Sequence, residues 1–313
     1  MCHFIFGSRH SRLAALGLLI VLAAASAQSA TTEQARKRFA TAEEAVQSVI
    51  KAAKANDQAE LLKIFGADAE DLFSSGDKIA DRRARQVILV ALNEKWSLSS
   101  QKPNAKTLVI GNEEWPYPIP LVKDKEGWSF DTAAGRQEIL YRRVGRNELS
   151  TIKACRVYVQ AQKEYAQKSH DGKATGLYAQ KLSSEPGKQD GLFWKSGPGE
   201  ELSPLGEFAA QASSEGYSRA ESGPTPFHGY LFRLLTAQGP AAPGGAKSYI
   251  SNGEMKGGFA LLAYPAEYRN SGVMAFIINQ DGVVYEKDLG QQTAKVAAQI
   301  SEYNPDKSWR KAQ

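Results

Sequence analysis

Asn147-Glu148-Leu149-Ser150-Thr151-Ile152-Lys153-Ala154-Cys155-Arg156-Val157-Tyr158-Val159 is the stretch on which the fold turns. Leu149, Ile152, Cys155 and Val159 recur every three or four residues, with Tyr158 and Tyr165 on the flank, which is the spacing of one helix face. The pattern predicts a long helix over 134–168, weakened at Gly145. Downstream, apolar runs at 230–236, 259–264 and 273–279 read as strands. Gln280-Asp281-Gly282 before Val283-Val284-Tyr285 is a hairpin signal, and Asn252-Gly253 marks another turn. A helix followed by strands on tight turns predicts a helix packed on an antiparallel sheet.

Upstream of that helix the order is helices first, strands afterwards. Thr41-Ala42-Glu43-Glu44 is a capping-box pattern ahead of Val46, Val49, Ile50 and Ala53. A second helix starts at Asp57 and stops at Gly66, and a third is expected over 81–95. Strands are expected over 106–110 and around Trp128 and Phe130, with an extended Pro-rich segment at 115–120. The class is therefore α+β. The expected organisation is a signal peptide at 1–27, a flexible lead-in at 28–40 and a cone-like α+β domain at 41–145. A helix-plus-sheet domain follows at 146–303, with a long surface loop at 183–227 and a ragged tail at 304–313.

The N-terminus reads as an export signal. Arg9 and Arg12 precede an apolar run from Leu13 to Ala25, and Ala25-Ser26-Ala27 supplies a small-x-small site, so cleavage is expected after Ala27. The run is shorter than the roughly 20 residues a spanning helix needs, so no integral span is expected once it is removed. The expected location is periplasmic or secreted. The 313 residues carry 39 basic and 34 acidic side chains, a net charge of +5, too small an excess to argue for nucleic acid.

Cleavage would leave Cys155 as the one cysteine, so no internal disulfide is expected, and its apolar surroundings predict a buried thiol. Only His170 and His228 would remain, which argues against a His-rich metal site, and no cofactor is expected. Gly239-Pro240-Ala241-Ala242-Pro243-Gly244-Gly245-Ala246-Lys247-Ser248 looks like a phosphate loop. However, Gly245 stands where lysine is needed, and Pro240 and Pro243 have no N–H to offer. Asp281, Glu286 and Asp288 match no calcium-loop spacing. No nucleophile motif occurs, so the chain is expected not to be an enzyme. An interaction or structural protein of the cell envelope is expected, with an envelope protein or glycan as partner. Its binding surface is expected at Trp115, Tyr117, Trp194, His228 and Tyr230. The alternatives are a small-ligand carrier, or a hydrolase of peptide or glycan working through carboxylates among Asp124, Glu126, Glu254 and Asp281 with His228.

Lys188-Gln189-Asp190-Gly191-Leu192-Phe193-Trp194, Ser203-Pro204-Leu205-Gly206 and Gly229-Tyr230-Leu231-Phe232-Arg233 carry a resemblance, as do Tyr264-Pro265-Ala266-Glu267-Tyr268 and Asn279-Gln280-Asp281-Gly282-Val283-Val284-Tyr285. With these, residues 36–303 resemble the exported bacterial family of unknown function DUF2950. That resemblance implies export but supplies no catalytic residue or cofactor. The second half is also similar to the headgroups of type IV pilin-like proteins, without the hydrophobic helix that filaments require. The first half is similar in element order to the cone-shaped nuclear transport factor two superfamily.

Overall fold

The computed structural model describes residues 36–217 and 225–312; the segment read as a signal peptide lies outside the described residues. Helix α1 (Ala42–Lys54) is capped by Thr41, whose side chain accepts from the Glu44 amide at 3.0 Å, while Glu44 accepts from the Ala40 amide. Helix α2 (Gln58–Phe65) is capped by Asp57 and ends at Gly66, which adopts φ +103°, a left-handed conformation open to glycine. A 3-10 turn and the short α3 (Glu70–Phe73) lead to α4 (Lys78–Glu94), whose cap is Asp77, four residues before the expected start.

Strands β1 (Trp96–Lys102), β2 (Ala105–Ile110), β3 (Trp115–Pro116), β4 (Leu121–Asp124) and β5 (Gly127–Phe130) form an antiparallel sheet in the order β1-β2-β4-β5, with β3 on β2. Val46, Ile64, Phe65, Leu108, Leu121 and Phe130 are buried in the core between this sheet and the first helices. The end of the lead-in belongs to this structure. Phe39 exchanges both backbone hydrogen bonds with Trp128, at 2.9 and 2.8 Å, and is buried, so residues 36–40 are pinned to the sheet rather than loose.

Helix α5 (Thr132–Ala166) runs unbroken past Gly145, across the position where the sequence suggests a boundary. At 35 residues it is about 52 Å long. Its N-terminal part touches the first core through Ile139 and Leu140, and its C-terminal part enters a second core through Ile152, Cys155, Tyr158 and Val159. Leu149 departs from expectation: it is 67% exposed, while Asn147 and Thr151 are buried. At about 100° per residue Leu149 faces roughly 160° away from Thr151. The buried stripe is therefore centred on Thr151, Tyr158 and Gln162, with its polar members matched. The Asn147 amide donates to Ser271 O at 2.9 Å, and Gln162 donates to Ala179 O at 2.8 Å and accepts from the Ala179 amide at 2.9 Å.

After α5 the expected loop at 183–227 contains a helix, α6 (Gly206–Ser214), and buried anchors such as Leu192 and Ser184, so it is more ordered than its Gly/Pro content suggests. Strand β6 (Tyr230–Leu235) follows, with the short pairs β7 (Ala237–Gln238) with β8 (Lys247–Ser248) and β9 (Ile250–Ser251) with β10 (Glu254–Met255). Next come β11 (Ala260–Pro265), β12 (Met274–Asn279), β13 (Tyr285–Asp288), α7 (Thr293–Gln299) and β14 (Arg310–Lys311). The second sheet is antiparallel, in the order β14-β13-β12-β11-β6. Glu148 on α5 accepts from the amides of Val273 and Met274 at 2.9 and 3.0 Å, fixing the helix against the start of β12. The tail is also more ordered than expected. Tyr303 is fully buried, β14 extends the sheet edge, and Arg233 donates to the carbonyl oxygens of Ala297 and Ile300 at the C-terminal end of α7.

Candidate functional site

The site begins with how poorly α4 is buried. Of its 17 residues only Leu92 is buried, while Val87 and Val90 are 62% and 58% exposed. Ala80, Ala84 and Ile88, spaced by four and therefore on one face, line two cavities at once. In front is a cleft of about 800 Å³, closed on its far side by Arg146, Asn147 and Ser150 of α5. Behind is a smaller cavity of about 170 Å³, reaching Phe73, Tyr117, Ile139 and Arg143. Trp115 and Arg146 line both.

One end of the large cleft is polar and highly ordered. Asp77 is 2% exposed. Its Oδ1 caps α4 by accepting from the amides of Ile79 and Ala80 at 3.1 and 3.0 Å. Its Oδ2 accepts from the Tyr217 hydroxyl at 2.7 Å and the Gly229 amide at 2.9 Å. Reaching Gly229 requires a turn in which His228 and Gly229 have φ +47° and +75°. A Cβ at Gly229 would lie 2.7 Å from Asn147 Nδ2 and 2.9 Å from Ser271 Cβ, so the close approach depends on glycine. Tyr217 also accepts from the His228 amide at 3.2 Å. Burial, and then Asp77 beside it, push the Tyr217 phenol well above its ordinary pKa.

Glu215, just past α6, completes this end. Its Oε1 lies 3.0 Å from Arg83 of α4, and its Oε2 lies 3.0 Å from His228 Nε2 without a hydrogen bond between them. Burial holds the His228 pKa below its ordinary value. Glu215 and Asp77 oppose that shift, while Arg146 and Arg83 add to it. At the other end, Trp115 is 37% exposed, with the Arg142 guanidinium 5.2 Å from its ring centre and Tyr117 edge-on at 6.2 Å.

Of the five residues expected to form a binding surface, Trp115 and His228 line the large cleft and Tyr117 the cavity behind it. Trp194 stands apart, packed on the second core with its ring 5.5 Å from His170. Tyr230 is a correction: it is fully buried and its hydroxyl donates to Met274 O at 2.9 Å, because Tyr230 begins a strand whose inner face meets α5. Of the residues named for a hydrolase, the large cleft takes only His228. Asp124 and Glu126 hold Arg38 at 2.6 and 3.9 Å, and Asp281 sits in a turn with Asn279. His170 is buried, stacked on Tyr165 at 3.9 Å. Asp77, Arg83, Arg146, Glu215 and Tyr217 have no motif signal; an acidic residue three positions ahead of Ala80 is the only local cue, a capping one.

Two further sequence readings have structural counterparts. Gln238 turns the loop at 239–245 inward by donating to Pro243 O and Gly245 O at 2.8 and 2.7 Å, the opposite of a loop that offers N–H groups to phosphate. Cys155 is fully buried, and burial pushes its thiol up to about 12.

A family model described as "Protein of unknown function (DUF2950)" matches residues 36–312, and the chain belongs to that family. No curated protein and no solved structure matches it. The likenesses to pilin headgroups and to the nuclear transport factor two superfamily therefore rest on the order of sequence elements. Among the described residues, no helix is long and apolar enough to cross a membrane.

Proposed function

We propose that this protein is an exported, non-enzymatic binding protein that recognises its ligand in the cleft between α4 and α5. The observation that carries the reading is the cleft's asymmetry. An apolar wall from α4 and Trp115 faces a polar end whose side chains are held by fixed partners. Its volume, about 800 Å³, falls in the range of roughly 300–1,000 Å³ usual for small-ligand sites. Asp77 receives four donors, about as many as a carboxylate has lone pairs, which leaves it no place to take a substrate proton. Export is supported by the sequence pattern ending at Ala27, and N-terminal sequencing of the processed protein is expected to start at Gln28.

The test uses 8-anilinonaphthalene-1-sulfonate, whose fluorescence rises in apolar surroundings. The full chain is expected to bind it saturably, and Ala84→Phe, which fills the space shared by both cavities, to weaken binding at least tenfold (about 1.4 kcal/mol). Equal binding by an equally stable Ala84→Phe variant contradicts the proposal.

A further inference from the structure

On the side away from the second core, helix α5 turns a cationic face to solvent. Arg142, Arg146, Leu149, Lys153, Arg156 and Lys163 recur at steps of three, four or seven residues, the spacing of one helix face, and all are exposed. They span about 32 Å along the helix axis. The only acidic residue between Arg142 and Lys163 is Glu148, whose carboxylate is engaged with the amides of Val273 and Met274 in the second sheet. Arg142 is matched by Glu138 at 2.6 Å. Arg146, Lys153, Arg156 and Lys163 make no ion pair or side-chain hydrogen bond among the described residues. The face is open at Gly145 as well, where a Cβ would meet nothing within 4 Å. Two large apolar side chains accompany the charges. Leu149 stands within the stripe at 67% exposure and Tyr141 on its flank at 65%, the two most exposed large hydrophobic side chains among the described residues.

We infer that α5 lies along an anionic lipid surface. Arg146, Lys153, Arg156 and Lys163 meet the headgroup phosphates, while Leu149 and Tyr141 enter the boundary between headgroups and acyl chains. The whole-chain excess of +5 is modest, and the attraction comes instead from its concentration on one side of one helix. Cations held in line on a helix act together on a planar surface, and each strengthens attachment severalfold. A soluble polyanion would meet the same charges but gain nothing from the exposed leucine, which favours lipid. The attachment is peripheral, since no described helix is long and apolar enough to cross a membrane. It holds whether or not the cleft between α4 and α5 carries a ligand.

The test is co-sedimentation with sucrose-loaded vesicles of phosphatidylcholine, alone or mixed in equal parts with phosphatidylglycerol. The processed chain from Gln28 is used, so that the apolar run at 13–25 cannot itself enter the bilayer. It is expected to sediment with the mixed vesicles, not with phosphatidylcholine alone, and to be released by salt. The double variant Arg156→Gln/Lys163→Gln is expected to weaken binding at least about tenfold. Lys54→Gln/Lys125→Gln removes the same charge from exposed positions elsewhere and is expected to leave binding unchanged. Leu149→Ser is expected to weaken vesicle binding about tenfold while leaving retention on immobilised heparin, a lipid-free polyanion, as it was. All five substituted side chains are exposed, so the fold is kept, which circular dichroism checks. No sedimentation with the mixed vesicles, or equal sedimentation with both compositions, overturns the inference. Equal weakening by the two double variants does so too, because net charge alone would then account for binding. Indifference of vesicle binding to Leu149→Ser also overturns it and reassigns the face to a soluble polyanion.

Discussion

The amide of Gly229 donates to Oδ2 of Asp77 at 2.9 Å, joining positions 152 residues apart in the chain. The carboxylate that caps α4 is thus also the one that receives the turn into β6, so the placement of the cleft wall depends on the second half of the chain. Asp77→Ala removes a helix cap, worth about 1 kcal/mol, and leaves the buried Gly229 amide without its acceptor, at about 1–3 kcal/mol more. We expect a loss of about 2–4 kcal/mol in denaturant unfolding, with faster amide exchange concentrated in α4. Exchange spread evenly over both sheets would argue against this local role.

His228 gives a pH dependence with a defined sign. Its folded-state pKa lies below the ordinary value, so the unfolded chain binds the proton more readily. The stability it contributes is present in full above about pH 6.5 and is lost as pH falls through that value toward the folded pKa. His228→Asn tolerates the left-handed backbone and does not titrate. The wild type is expected to lose thermal stability between pH 7.5 and 5.5 that the variant does not lose, measured by calorimetry at fixed ionic strength. Parallel curves for the two would contradict the assignment.

Two glycines of α5 should respond in opposite ways to alanine. A Cβ at Gly135 would lie 2.7 Å from both Ile119 Cγ1 and Pro118 O, whereas at Gly145 it would meet nothing within 4 Å. Gly145→Ala is expected to stabilise by about 0.5–1 kcal/mol, because glycine costs a helix interior that much. Gly135→Ala is expected to destabilise by about 1–3 kcal/mol through overpacking. Destabilisation by Gly145→Ala would show that α5 is broken there after all.

Features with a local cause were legible in the sequence. Thr41, Asp57 and Gly66 bound the first helices because caps act within a turn, and the Asn279–Tyr285 hairpin follows from its Asp-Gly pair. Features set by distant partners were not. The apolar spacing points Leu149 to the buried face, whereas the true stripe contains the polar Asn147, Thr151 and Gln162. These residues are satisfied there through Ser271, the Asn147 carbonyl, Tyr158 and Ala179. Residue type alone marked Trp115, Tyr117 and His228 for recognition. Asp77, Glu215 and Tyr217 read as ordinary polar positions, since their meeting depends on a turn at 228–229 that has no local signature beyond one glycine.

Cys155 should behave as a core group. With its thiol pushed up to about 12 and fully buried, it is expected to resist iodoacetamide at pH 8 in the native protein and to react once in denaturant. Cys155→Ser is expected to lower stability by about 1–3 kcal/mol, because a hydroxyl replaces the thiol in an apolar site. Rapid native labelling, followed by mass spectrometry, would contradict this placement.

Hydrogen exchange read by mass spectrometry, with and without saturating 8-anilinonaphthalene-1-sulfonate, tests the binding cleft most directly. The account predicts slowed exchange in α4, in the facing 146–150 segment of α5 and in the turn at 225–229, and its absence in Ala84→Phe. Protection instead around the exposed Leu202, unchanged by Ala84→Phe, would contradict it.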